Sequence, residues 1–208
     1  MDLIQTLRQY AHEQPDSIAM VSRYRTVTYR KLWSRIERAT ARLQGEWHVG
    51  RGDRAAYCGP AHPDALMLYL ALARCGARLM PLEQESLQSS LHRIAQELPV
   101  RIILHHDDTP IMDWRGSVMP RPLSALIMTR CPYDPLAIDD AAAQASLELV
   151  SWSGTGPVHA MRKSMADMLA SASRGPAMPC QVDAVLFDQT RLGPVLHTLL
   201  AGGTIVFN

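Results

Sequence analysis

The sequence lacks an excess of either charge. It carries 21 basic and 20 acidic side chains in 208 residues, a formal net charge of +1. A nucleic-acid binder ordinarily shows a basic surplus, so no nucleic-acid partner is expected. A disordered chain would combine greater net charge with fewer apolar residues than the 47% present. Long apolar runs are missing too. The longest, Ala65 to Ala73, has nine residues, well under the roughly 20 that a membrane-spanning helix needs. The opening residues, Met-Asp-Leu-Ile-Gln, show no basic-then-apolar export signal. Cysteine is sparse: Cys58, Cys75, Cys131 and Cys180 lie far apart and form no C-x-x-C pair. Neither a zinc site nor a redox dithiol is therefore signalled. Reduced, mostly buried thiols and a cytoplasmic setting are the expectation. No Walker loop, dinucleotide fingerprint or G-x-S-x-G elbow occurs.

What is present is an alternation of short β-type and helix-type segments. Asp2 is placed to cap a helix reaching about Glu13, with Leu3, Leu7 and Ala11 on one face. Residues 18–21 and 26–28 read as a hairpin turning at Tyr24-Arg25. Thr28 caps a second helix, which Gly45 ends. A strand at 54–58, a helix opened by Pro63 and ended by Gly76, and a strand at 78–80 follow. A helix after Ser86 and a strand at 100–104 continue the series. Segment 107–145 is an irregular, proline-rich excursion with one short strand near 126–128. Then come a strand at 147–152 and a helix carrying Met161, Met165, Met168, Leu169 and Ala172 inward. A strand at 182–187, a helix at 194–200 and a strand at 204–207 close the pattern. This spacing implies a single α/β domain over 1–208: a mostly parallel sheet flanked by helices, with a small N-terminal hairpin.

The segment Ser151-Trp152-Ser153-Gly154-Thr155-Gly156-Pro157 falls between an expected strand and an expected helix. Small residues let backbone N–H groups converge on an anion, and the hydroxyls add donors. An ordinary βα turn has the same composition, so the residues alone leave both readings open.

Five segments, in order, resemble the N-terminal part of the adenylate-forming superfamily. That superfamily comprises acyl- and aryl-CoA synthetases, carrier-protein ligases and peptide-synthetase adenylation domains. The segments are Thr28-Tyr29-Arg30-Lys31-Leu32, Val49 to Ala55, Leu70 to Leu82, Ser151 to Lys163, and Leu192-Gly193 through Gly202-Gly203-Thr204-Ile205-Val206. Within the superfamily, His159-Ala160-Met161-Arg162-Lys163-Ser164 is similar to ligases of aryl-polyene and related pigment clusters. The resemblance implies the fold of the first subdomain of such an enzyme. It implies ATP or AMP with magnesium as cofactors and a small carboxylic acid as substrate. It assigns Ser153, Gly154, Thr155, Gly156 and His159 to the phosphate loop, and assigns no catalytic or metal-binding residue.

The loop departs from the family pattern. Trp152 replaces a small residue, one residue is missing between Gly154 and Gly156, and His159 stands where a lysine is usual. An imidazole is a shorter, weaker phosphate partner than an ammonium, so nucleotide binding is expected to be weak or lost. The aromatic-His feature after the next strand is absent, because Phe187 is followed by Asp188, Gln189 and Thr190. The family's adenine, magnesium and lysine motifs have no counterpart here. The expectation is a truncated ligase homologue, inactive alone, that associates with itself or a complementary chain. The alternatives are a non-catalytic scaffold binding a carrier protein or sister ligase, and an unrelated anion binder alike only in fold.

Other constellations carry bland readings. His105-His106-Asp107-Asp108 would place neighbouring side chains on opposite sides of an extended segment, which suits a solvated strand end better than a metal site. The methionine stripe reads as core. Arg23, Arg25, Arg30, Lys31, Arg35 and Arg38 form a local basic cluster, readable as a solvated face or as a dock for an acidic carrier protein.

Overall fold

Side-chain caps start the first helices where the sequence places them. In the computed structural model, Asp2 Oδ1 accepts from Ile4 N at 2.9 Å. Thr28 Oγ1 accepts from Lys31 N at 3.4 Å. His62 Nδ1 accepts from Asp64 N at 3.2 Å, with Pro63 at the first helical position. Each satisfies an N–H that the helix itself leaves orphaned. The structure describes residues 2–82, 93–94, 96–111, 116–127, 131–134, 146–151, 157–172, 179–183, 185–188 and 190–208. Its elements in chain order are α1 (Leu3–Glu13), β1 (Ile18–Ser22), β2 (Arg25–Thr28), α2 (Tyr29–Gly45), β3 (Arg54–Cys58), α3 (Pro63–Cys75), β4 (Arg78–Leu82) and β5 (Ile102–His105). They continue with β6 (Pro120–Pro122), α4 (Ser124–Ile127), β7 (Ser146–Ser151), β8 (His159–Ser164), α5 (Met165–Ser171), β9 (Cys180–Val182), α6 (Leu192–Leu200) and β10 (Ile205–Phe207).

The described strands form two sheets. The large one has the order β6-β5-β3-β4-β7-β8, and its pairs are parallel except β7 with β8. The N-terminal hairpin belongs to the second sheet, of order β2-β1-β10-β9, where β1 runs parallel to β10 with Met20 opposite Ile205. Residues at the two ends of the sequence therefore share one sheet.

The patterning of α3 explains how the sheets are joined. A helix apolar all round must be enclosed, and every residue of α3 except Asp64 is buried. Its side chains belong to one core that takes in Ala55, Tyr57, Leu79 and Leu104 from the large sheet and Met20 and Ile205 from the small one. Alternate residues of the same strands, Ala56, Cys58, Met80 and Ile103, point to the opposite face and pack with Ile94 and Val100 in a second core.

Three expected elements differ. Residues 159–164 are a strand, not the start of a helix, and Met161 is 44% exposed on it. The reason is a capping box: Ser164 Oγ accepts from Asp167 N at 3.1 Å and Asp167 Oδ2 accepts from Ser164 N at 3.1 Å, so the helix begins at Met165. Met165 and Met168 are buried as expected. The strand expected at 182–187 is only Cys180–Val182, because pairing with β10 ends at Phe207. The strand expected near 126–128 is replaced by strand β6 at Pro120–Pro122 and a helical turn, α4, in which Leu126 and Ile127 are buried. Met128 and the residues expected to cap and open the helix after Ser86 lie outside the described residues, whereas 93–94 and 96–97 are helical.

One ion pair crosses the large sheet near its amino end. Glu148 on β7, 5% exposed at its side chain, takes Arg54 Nε at 2.7 Å and Arg54 Nη2 at 3.1 Å. Arg78 Nη1 lies 3.9 Å away, and Arg162 on β8 stands directly opposite in the ladder. Removing one member of a buried pair strands the other charge. Glu148→Ala is expected to lower unfolding free energy by about 3–5 kcal/mol, measured as a reduced denaturant midpoint. Arg54→Leu with Glu148→Leu should recover part of that loss.

Candidate functional site

Five parallel strands, β6, β5, β3, β4 and β7, end on the same edge of the large sheet. Open α/β sheets bind ligands outside the carboxyl ends of their strands, where successive connections run to opposite sides. Here β3 leads through α3 to β4 on one side, while β5 lies on its other side and leads to β6. The carboxyl edge carries Gly59, His106 and Ser151 just beyond or at the ends of β3, β5 and β7.

Segment 151–157 leaves this edge from β7 and returns as β8. It is the connection of an antiparallel hairpin, not the N-terminus of a helix as expected. Ser153, Gly154, Thr155, Gly156 and Trp152 lie outside the described residues. His159 is described: it is exposed, opens β8 and pairs with Ser151. The structure thus brings His159 to the base of the hairpin connection.

A contact that the sequence reading missed fixes this hairpin. Val158 N donates to Glu97 Oε2 at 3.0 Å, and Arg93 Nε donates to Glu97 Oε1 at 2.8 Å. Arg93 and Glu97 are four apart, a helical ion-pair spacing visible in the sequence. The bond from Arg93, then that from Val158, hold the Glu97 carboxyl below the usual glutamate range. Val158 itself packs against the second core.

Further along the edge, two imidazoles meet. His62 and His106 are edge to face, centroids 4.8 Å apart. A Cβ on Gly59 would lie 2.7 Å from His106 Cβ and 2.7 Å from the Tyr57 hydroxyl, so this approach needs a glycine. Burial pushes His62 below the ordinary histidine range, against the pull of Asp64. His105-His106-Asp107-Asp108 does not converge. His106 Nδ1 accepts from Asp108 N at 3.3 Å, while Asp107 Oδ2 accepts from Ser124 N at 3.1 Å and opens α4. Among the described residues no group of three or more His, Cys, Asp or Glu could hold a metal ion. Burial raises the Cys58 thiol to about 12, so it is no nucleophile at neutral pH. No helix among the described residues is long and apolar enough to cross a membrane.

A mostly parallel sheet of this order, flanked by helices, defines an α/β scaffold. Residues 7–177 match the model of the AMP-binding enzyme family, and the chain belongs to that family. It is 27% identical over 210 residues to feruloyl-CoA synthase from an Amycolatopsis species, covering 95% of this chain and 42% of that one. It is 29% identical over 111 residues to D-alanine–D-alanyl carrier protein ligase of Bacillus licheniformis, covering 53% of this chain and 22% of the ligase. The chain thus spans less than half the length of these relatives. Its fold is that of the N-terminal subdomain of NpsA from Klebsiella oxytoca, with a TM-score of 0.79 at 18% identity, covering all of this chain and 55% of that one. o-Succinylbenzoate CoA synthetase from Bacillus subtilis, in complex with its acyl-adenylate intermediate, gives a TM-score of 0.76 at 15% identity, covering 98% and 43%.

The Glu97 tie makes the hairpin sensitive to acid. A carboxyl whose folded pKa is lowered contributes fully above its unfolded pKa and loses that contribution as pH falls through the folded value. Amide exchange at Val158 is expected to quicken as pH drops below the ordinary glutamate range of about 4.3, after correction for intrinsic rates. Glu97→Ala should abolish that pH dependence; its persistence would place the titrating group elsewhere.

Proposed function

We propose that this chain is the N-terminal portion of an enzyme that activates a small carboxylic acid as its acyl- or aryl-adenylate. Segment 151–157 is the part that cradles the nucleotide phosphates. The carrying observation is that this segment, inside the family match over 7–177, connects β7 to β8 at the carboxyl edge of the parallel sheet. In the proposed site, Ser153, Gly154, Thr155 and Gly156 offer backbone N–H groups and hydroxyls to the phosphate oxygens, and His159 stands at the hairpin base. The acyl acceptor is a carrier protein or coenzyme A, the two classes named for the relatives.

Magnesium belongs to this chemistry as a counter-charge for the triphosphate, and the donors in 151–159 are hydroxyl, amide and imidazole groups, with no carboxylate among them. That set suits phosphate oxygens and not a hard cation, so no metal step is assigned to these residues. The transfer itself needs in-line attack of a carboxylate on the α-phosphate with developing charge neutralised. The 208 residues by themselves are therefore proposed to bind nucleotide weakly and not to turn over, the rest of the site being supplied by the further length that the relatives have.

Calorimetric titration with AMP and with ATP plus magnesium tests this. Saturable binding in the millimolar range is expected. His159→Lys should tighten ATP binding by about three- to tenfold, the scale of one added charge contact. No saturable binding by either form, or an unchanged affinity in the variant, would contradict the assignment of 151–159 to the phosphates.

A further inference from the structure

One side of α2 carries exposed Lys31 and Arg38 with half-buried Arg35 between them, at i, i+4 and i+7. None of these three makes an ion pair among the described residues, and Arg38 Nε turns back to Ser34 O of its own helix at 3.4 Å. Arg35 is the least comfortable. Its Nη1 is buried without a hydrogen bond among the described residues. Burial, Arg25 and Arg38 all oppose its charge, and the one acid that favours it, Asp64, already binds Arg25.

These charges cost the fold something. Like charges three and four apart repel along a helix. Lys31 also lies in the first turn, where the helix dipole disfavours a cation. Just before Arg25, at the β1–β2 turn, Tyr24 is 86% exposed with the Arg23 guanidinium over its ring at 5.6 Å. Arg25, the next residue, acts electrostatically on Arg35, which places this turn near the middle of the stripe; tyrosine and arginine are the residue types enriched at protein-interface hot spots.

We infer that Tyr24, Arg35 and Arg38, with Lys31 at one end, form a docking surface for an acidic protein segment. The occupant is a protein and not a nucleic acid for two reasons. Carboxylates at Asp16 and Asp64 are interspersed in the same region, each paired to an arginine, and would repel a continuous phosphate backbone. The whole chain carries a net charge of only +1, so it has no long-range field to gather a polyanion. Discrete carboxylates at helical spacing can meet Lys31 and Arg38 one by one and offset the repulsion that Arg25 and Arg38 exert on the half-buried Arg35 between them. This inference stands on α2 and the β1–β2 turn and is independent of the nucleotide proposal.

The probe is a stapled helical peptide presenting glutamates at i, i+4 and i+7, with its glutamine counterpart and a short single-stranded oligonucleotide alongside. Binding to the full chain is followed by fluorescence anisotropy at low salt. The glutamate peptide is expected to bind more tightly than both others. Arg35→Gln and Arg38→Gln should each weaken it about two- to fivefold, Tyr24→Ala should weaken it further, and Arg51→Gln, on a distant turn, should not. Thermal melting supplies a second readout. Relief of repulsion predicts that Arg35→Gln raises Tm by about 1–3 °C, whereas an arginine with a structural partner would lower Tm on replacement. Equal affinity for the two peptides, insensitivity to the stripe substitutions, tighter binding of the oligonucleotide, or a fall in Tm would each overturn the inference.

Discussion

Glu148 is a buried carboxylate, and the working edge of the large sheet depends on how it is held. Its bidentate contact with Arg54 and the approach of Arg78 tie β3, β4 and β7 together near their amino ends. Such a pair adds little net stability over an apolar substitute, but leaving one member alone is costly. Its effect here is on alignment. Arg54 and Arg78 open their strands in matched register, and Glu148 cannot slide along them without losing both. With β7 fixed at that end, its carboxyl end delivers Ser151 to a set place on the edge.

The two faces of the sheet divide the remaining labour. One packs on the enclosed helix α3 and so reaches the small sheet, where β1 and β10 bring the two ends of the sequence side by side. The other face carries the second core, which ends against Val158 and the Glu97 tie. Of the residues that flank the segment proposed to hold phosphates, Ser151 ends β7 and Val158 is tied to an ion-paired glutamate. From β7 to the His62–His106 contact beside β5 is three strand spacings, about 14 Å.

Much of this was legible in the residues. Asp2, Thr28 and Pro63 marked helix starts, and Gly76 marked an end as a left-handed stop, because such signals act locally, while Gly45 is simply the last residue of α2. The order of the segments carried the family resemblance. Sheet membership was not legible, since the pairing of β1 with β10 spans almost the whole chain and leaves no local signature. The course of 159–164 was misread through its methionines. Met161 shares helical spacing with Met165 and Met168, yet the Ser164–Asp167 capping box, itself readable in the sequence, starts the helix later. That one shift turned an expected helix-backed phosphate loop into a hairpin connection. The tie from Val158 to Glu97 joins residues 61 apart and could not be seen without the fold.

The central claim is that the hairpin connection at the carboxyl edge is a phosphate cradle. A crystal structure of the chain grown with AMP tests it most directly. The account predicts the phosphate against residues 151–159, with the nucleotide lying along the edge toward β3. A phosphate bound at the amino edge beside Arg54 and Arg78, or on the basic stripe of α2, with 151–159 empty, would contradict it.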